Sequence, residues 1–141
     1  MENCIFCSIV KGLAPASIVY SDEKLMGIMD IQPVNPGHLL IIPKVHVAQL
    51  SGLNKEIGAH MFQVAMRVAK ALRNSNVKCE GVNFWLADGK VAFQEIPHIH
   101  LHIIPRFRDD GLIITFGSTY GSRPDRKELD RIAEDIRKNM G

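Results

Sequence analysis

The chain has 141 residues, 46% of them hydrophobic and 23% charged, which is the size and composition of one ordinary folded domain. Seventeen basic residues against fifteen acidic ones leave a net charge of only +2 with no basic run, which argues against a nucleic-acid partner. No stretch approaches the ~18 uninterrupted apolar residues of a membrane-spanning helix. Residues 1–3 carry no basic and apolar leader pattern either, so a cytoplasmic protein without a membrane partner is expected.

Residues 3–10 read as a short helical turn carrying Cys4 and Cys7, ended by Gly12 and Pro15. Residues 17–20 and 24–29 read as two strands joined by the turn Ser21-Asp22-Glu23. Pro33 and Pro36 exclude a helix from the loop over residues 30–37. Residues 38–42 form a short, mostly apolar run stopped by Pro43, which reads as a buried strand. Over residues 53–74 the period becomes 3.6. Ile57, Met61, Val64, Val68 and Leu72 fall on one stripe, Asn54 is the expected N-cap and His60 lies on the helix surface. Residues 82–86 and 99–104 are strands, the first followed by an Asp88-Gly89 turn and the second closed by Pro105. Pro124 stands where a first helical residue would, and Leu129, Ile132, Ala133 and Ile136 give a final amphipathic helix over about 124–139. With no repeat and no linker, residues 1–141 read as a single α+β domain with an antiparallel sheet of about five strands, one long helix and a C-terminal helix.

His98, His100 and His102 alternate with Ile99, Leu101 and Ile103. Side chains in a strand alternate faces, so the three imidazoles share one face at about 6.6–6.8 Å intervals. An imidazole pKa of about 6.5 allows both a neutral nucleophile and a cationic donor near neutral pH. A packing role alone explains the row poorly, because stacked imidazoles forgo apolar burial and need polar partners. Cys4 and Cys7 sit three apart, a spacing that zinc sites use repeatedly but that needs two further ligands. Cys79 stands apart from them.

The run from His98 to Ile104 resembles the motif of the histidine triad family. Asp30-Ile31-Gln32-Pro33, the block from Pro36 to Lys44, Gln94 and Pro105-Arg106 are also similar, and the nearest resemblance is to the Hint-like bacterial branch. The resemblance implies that His100 attacks an α-phosphorus to give a nucleotidyl-histidine intermediate, with His102 binding the phosphate. It further implies that Asp30 holds the ribose, that Phe6, Ile9, Ile28 and Ile31 form the nucleobase slot, and that Gln94 reaches the leaving atom. His38 then orients the nucleophilic ring from behind. His46 and His98 complete a structural zinc site with Cys4 and Cys7, and two subunits form a homodimer with a continuous sheet.

Two positions depart from the family pattern. Ala87 stands where an amide residue is usual, and Phe93 where glycine usually precedes Gln94, which puts turnover in question. The expected function is hydrolysis of a nucleoside 5′-phosphoramidate, with a purine mononucleotide as the expected ligand. Dinucleoside polyphosphate hydrolysis and a nucleoside-monophosphate-binding module with little turnover are the alternatives.

Overall fold

The computed structural model describes residues 3–141, which fall into two compact units, one ending at Gly111 and one spanning Leu112–Gly141. The first unit holds helix α1 (Ile5–Val10), strands β1 (Ile18–Ser21), β2 (Leu25–Met29) and β3 (Leu39–Pro43), helix α2 (Lys55–Asn74), and strands β4 (Gly81–Leu86) and β5 (Leu101–Arg106). The five strands form one sheet in the order β1-β2-β3-β5-β4, with every neighbouring pair antiparallel. The α+β architecture expected from the sequence is therefore present.

Alternation along the strands sorts the apolar residues onto two faces. Leu25, Leu39, Ile41, Leu101 and Ile103, with Ile99 just ahead of β5, pack against the α2 stripe of Met61, Val64, Ala65, Val68 and Leu72. Met26, Ile28, Leu40 and Ile42 face the other way and pack against Cys4, Phe6 and Cys7 of the N-terminal segment. Because the odd-numbered residues from 99 to 103 go to the α2 face, the histidines between them go to the second face. Helix α2 starts where the Asn54 side chain accepts from the Glu56 and Ile57 amides at 2.9 and 3.1 Å.

Some boundaries differ from the sequence reading, for reasons of pairing. Pro43 is the last residue of β3, whereas Pro105 lies inside β5, with Arg106 after it. The β3–β5 ladder covers only Leu39–Ile41 against Leu101–Ile103, so each proline sits where one edge of its strand has no ladder to feed. Residues 98–100 precede β5, because the Ile99 amide bonds to the Val47 carbonyl at 2.7 Å instead of to a strand. In the second unit the C-terminal helix α3 (Arg126–Lys138) begins after Asp125, whose carboxylate accepts from the Glu128 amide at 2.8 Å. Pro124 therefore precedes the cap and is not the first helical residue. The Leu129, Ile132 and Ile136 stripe of α3 is exposed, and Phe116 stacks on Tyr120 at 4.2 Å.

A polar clamp ties the β1–β2 turn to α2. Asp22 accepts from the Lys24 and Leu25 amides at 2.7 Å each, and its second oxygen accepts from Tyr20 Oη and His60 Nε2 at 2.6 Å each. Burial raises the Asp22 carboxyl, but the hydrogen bonds from Tyr20, His60 and the amides outweigh it and hold the group well below the usual carboxylate range. The Asp22 bond raises the His60 imidazole. A raised histidine stabilises the fold fully below its unfolded value of about 6.5 and loses that contribution as pH climbs through the raised value. Thermal melts of His60→Gln should therefore lie further below wild type at pH 5.5 than at pH 9. An equal deficit at both would show that the ion pair carries none of the stability.

Candidate active site and metal centre

The proton on each histidine of the β5 segment is placed by that ring's hydrogen-bond partners. His98 is fully buried, and its Nε2–H donates to the Pro43 carbonyl at 2.8 Å. Its Nδ1 is thereby left as a lone pair, and it faces Cys4 Sγ at 3.4 Å and Cys7 Sγ at 3.7 Å. His46 Nδ1 lies 3.3 Å from Cys7 Sγ, with its ring perpendicular to His98 at 5.0 Å. All four ligand atoms fall within 4.8 Å of one another. Two thiols and two imidazole nitrogens at that separation fit a tetrahedral zinc ion. Burial lowers the His98 imidazole, favouring the neutral ring a metal needs, and burial followed by the neighbouring Cys4 raises the Cys7 thiol.

His100 donates from Nδ1–H to the carbonyl of His98 at 2.7 Å, which leaves its Nε2 as the free lone pair. The ring is buried against the edge of Phe6 at 5.2 Å and beside His102 at 4.9 Å. His102 is ordered by a relay. The Val34 amide donates to His38 Nδ1 at 3.0 Å, so the His38 proton sits on Nε2 and donates to His102 Nδ1 at 2.9 Å. His102 then carries its own proton on Nε2. Burial, reinforced by His100 and His38, pushes His102 down to about 4, and burial also lowers His38, which favours the neutral form of each ring and gives the relay one direction.

Asp30 sits beside this relay. Its Oδ1 accepts from the Gln32 amide at 2.8 Å, and its Oδ2 lies 3.4 Å from His38 Nε2 and 3.9 Å from His102 Nδ1. Asp30, His38 and His102 are close enough to hold a cation. The proton fixed on His38 Nε2 points into that cluster, so the third ligand is a donor and not a lone pair, which argues against a metal there.

Several expectations change. His38 bonds to His102, not to the nucleophile candidate His100, because it stands just ahead of β3, whose first residue Leu39 pairs with Ile103 next to His102. Gln94 does not reach outward. Its Oε1 accepts from the Gly89 amide at 2.8 Å, its Nε2 donates to the Ala48 and Ile96 carbonyls at 2.7 and 3.1 Å, and its own amide bonds to Gly89 O. Gln94 thus pins the loop between β4 and β5. Of the apolar candidates, Phe6, Ile9 and Ile28 pack in one cluster, whereas Ile31 stands outside it at 93% exposure. Ala87 is buried. Phe93 adopts a left-handed φ of 68°, a conformation glycine takes freely, and turns its ring to solvent. Cys79 is separate, donating to the Gly81 carbonyl at 3.3 Å. Nothing in the residue pattern announces the Val34 amide, a backbone donor whose role depends only on loop geometry.

Comparison with known proteins identifies the family. The HIT domain pattern matches residues 11–109. A HIT family protein of Bacillus anthracis superposes with a TM-score of 0.90 at 35% identity over 99% of both chains. A zinc-bound histidine triad family protein of Mycobacterium smegmatis gives a TM-score of 0.76 at 40% identity, covering 98% of this chain and 99% of the other. Adenosine 5'-monophosphoramidase HNT1 of Saccharomyces cerevisiae is 39% identical over 113 residues, covering 79% of this chain and 68% of the relative. The chain is a member of the HIT-domain, or histidine triad, family.

Proposed function

We propose that the chain hydrolyses nucleoside 5′-phosphoramidates through a covalent intermediate on His100. The observation that carries this reading is the 2.7 Å bond from His100 Nδ1–H to the His98 carbonyl, because it aims an unprotonated Nε2 away from the backbone. Asp30 accepts from the ribose hydroxyls, the base lies against the Phe6, Ile9 and Ile28 cluster with Ile31 closing over it, and His102 Nε2–H donates to a non-bridging phosphate oxygen. His100 Nε2 bonds to the α-phosphorus as the phosphorus–nitrogen bond to the amine breaks, and the amine takes a proton from solvent as it leaves. Water then attacks the same phosphorus, gives its proton back to solvent, and releases nucleoside monophosphate with the His100 lone pair restored. The yeast relative's named activity supports the substrate class.

Zinc on Cys4, Cys7, His46 and His98 would serve as a structural tie, since four protein ligands leave no position for a substrate water. The protein is read as a cytoplasmic homodimer. Supporting the dimer, β4 is an edge strand with Phe84 and Trp85 partly exposed, and Phe62 and Met66 of α2 are exposed on the same unit. No helix among the described residues is long and apolar enough to cross a membrane.

Dinucleoside polyphosphate hydrolysis would use the same intermediate with a different leaving group. A mononucleotide-binding module with little turnover is favoured by two observations: Ala87 offers only a methyl group, and the Gln94 side-chain amide is spent on the Gly89 amide and the Ala48 and Ile96 carbonyls. Incubation with adenosine 5′-phosphoramidate separates the readings. Steady AMP release at catalytic enzyme concentration is expected, whereas AMP binding without release would leave the binding module.

A further inference from the structure

We infer that metal occupancy at Cys4, Cys7, His46 and His98 controls the orientation of the His100 ring, acting through the His98 peptide and the Phe6 side chain. This rests on His100 being the nucleophile, and it adds a set of positioning residues to that reading.

His98 is held at three points that cannot move independently. Its Nε2–H is fixed to the Pro43 carbonyl, its Nδ1 faces the two thiols, and its carbonyl accepts from His100 Nδ1. A metal bonded to Nδ1 would lock the residue, and with it the acceptor that decides which nitrogen of His100 points outward. Ligand-orienting contacts one step removed from a metal have this kind of leverage in both directions.

Phe6 supplies the second route. It lies between Cys4 and Cys7 at the start of α1, is almost fully buried, and meets His98 edge-on at 5.6 Å and His100 at 5.2 Å. Helix α1 has only 6 residues, no side-chain cap at Cys4 and no acidic residue in its first turn, so it has little stability of its own. Two thiolate–metal bonds bracketing Phe6 are what would press that ring onto His100. Without them the remaining thiol–imidazole contacts are weak, and the His100 ring is free to rotate and present Nδ1–H in place of the Nε2 lone pair.

The test compares zinc-loaded protein, chelator-stripped protein and the double variant Cys4→Ser, Cys7→Ser. Zinc content and circular dichroism are measured on each. The first readout is the nitrogen-15 NMR signature of His100 in ligand-free protein, where a hydrogen-bonded Nδ1–H is sharp and slow to exchange. With zinc that signal should be present, and without zinc it should broaden or vanish. In parallel, kcat should fall about 10–100-fold while KM changes by less than about threefold. Should the metal-free forms unfold, Phe6→Leu with full zinc content carries the test, and the same loss of the His100 signal is expected. A folded metal-free protein with unchanged signal and kcat, or a zinc-loaded Phe6→Leu with an unchanged signal, overturns the coupling. If the loaded wild type turns over no substrate, the NMR comparison still decides the coupling, and the hydrolase reading fails separately.

Discussion

His100→Ala should abolish AMP release from adenosine 5′-phosphoramidate, lowering kcat by about 10⁴-fold or more, the scale of losing a covalent nucleophile. Affinity for AMP should change only a few-fold, because the proposed ribose, base and phosphate contacts are made by Asp30, the Phe6 cluster and His102. That split separates a nucleophile from a residue that merely packs. His100 sits between Phe6 and His102, so a destabilised variant would lose both properties together. Unaltered melting with lost turnover is therefore the expected pair of results. A variant that retained a tenth of wild-type kcat would remove His100 from the covalent role.

Gly37→Ala should destabilise the fold by about 2–5 kcal/mol, a large share of the roughly 5–15 kcal/mol of a typical domain. Two costs add. Gly37 has φ +95°, a conformation that strains any residue with a Cβ. The added Cβ would also lie 2.6 Å from Val77 Cγ1 and 3.3 Å from Pro105 Cγ, so packed side chains must shift. The consequence reaches the site, because Gly37 leads into His38, whose amide bonds to Asn35 and whose ring drives His102. Urea unfolding should show a lower midpoint at unchanged slope. A midpoint within experimental error of wild type would mean the loop relaxes around the methyl at no cost.

How much of this was legible beforehand follows from what a linear pattern encodes. Period 2 in the histidine row and in residues 38–42, and period 3.6 in α2, determine which side chains share a face. The sheet, the helix and the histidine row were therefore readable from spacing. The stop at Pro43 was legible, but β5 runs through Pro105 to Arg106, since whether a proline stops a strand depends on which edge is paired, and that is a property of the sheet. The Asp22–His60 bond joins residues 38 apart through a turn and a helix face, and no local signal announces it. His38 was legible as a supporting residue but not for which ring it supports. Its proton is placed by the Val34 amide, and backbone donors carry no residue code. Gln94 looked like a residue aimed at substrate because of where it sits before the row. Its side chain instead joins the Gly89 amide to the carbonyls of Ala48 and Ile96, tying the loop before the row to the segment after β3.

The proposed bond between His100 Nε2 and the α-phosphorus can be trapped by rapid acid-free quenching of the zinc-loaded enzyme during turnover, followed by peptide mass spectrometry. The expected result is a nucleoside-monophosphate adduct on the peptide containing His100, absent from His100→Ala and chased away by further incubation in water. Sustained AMP release with no adduct on that peptide at any quench time, together with inversion at phosphorus, would show direct attack by water and contradict the account.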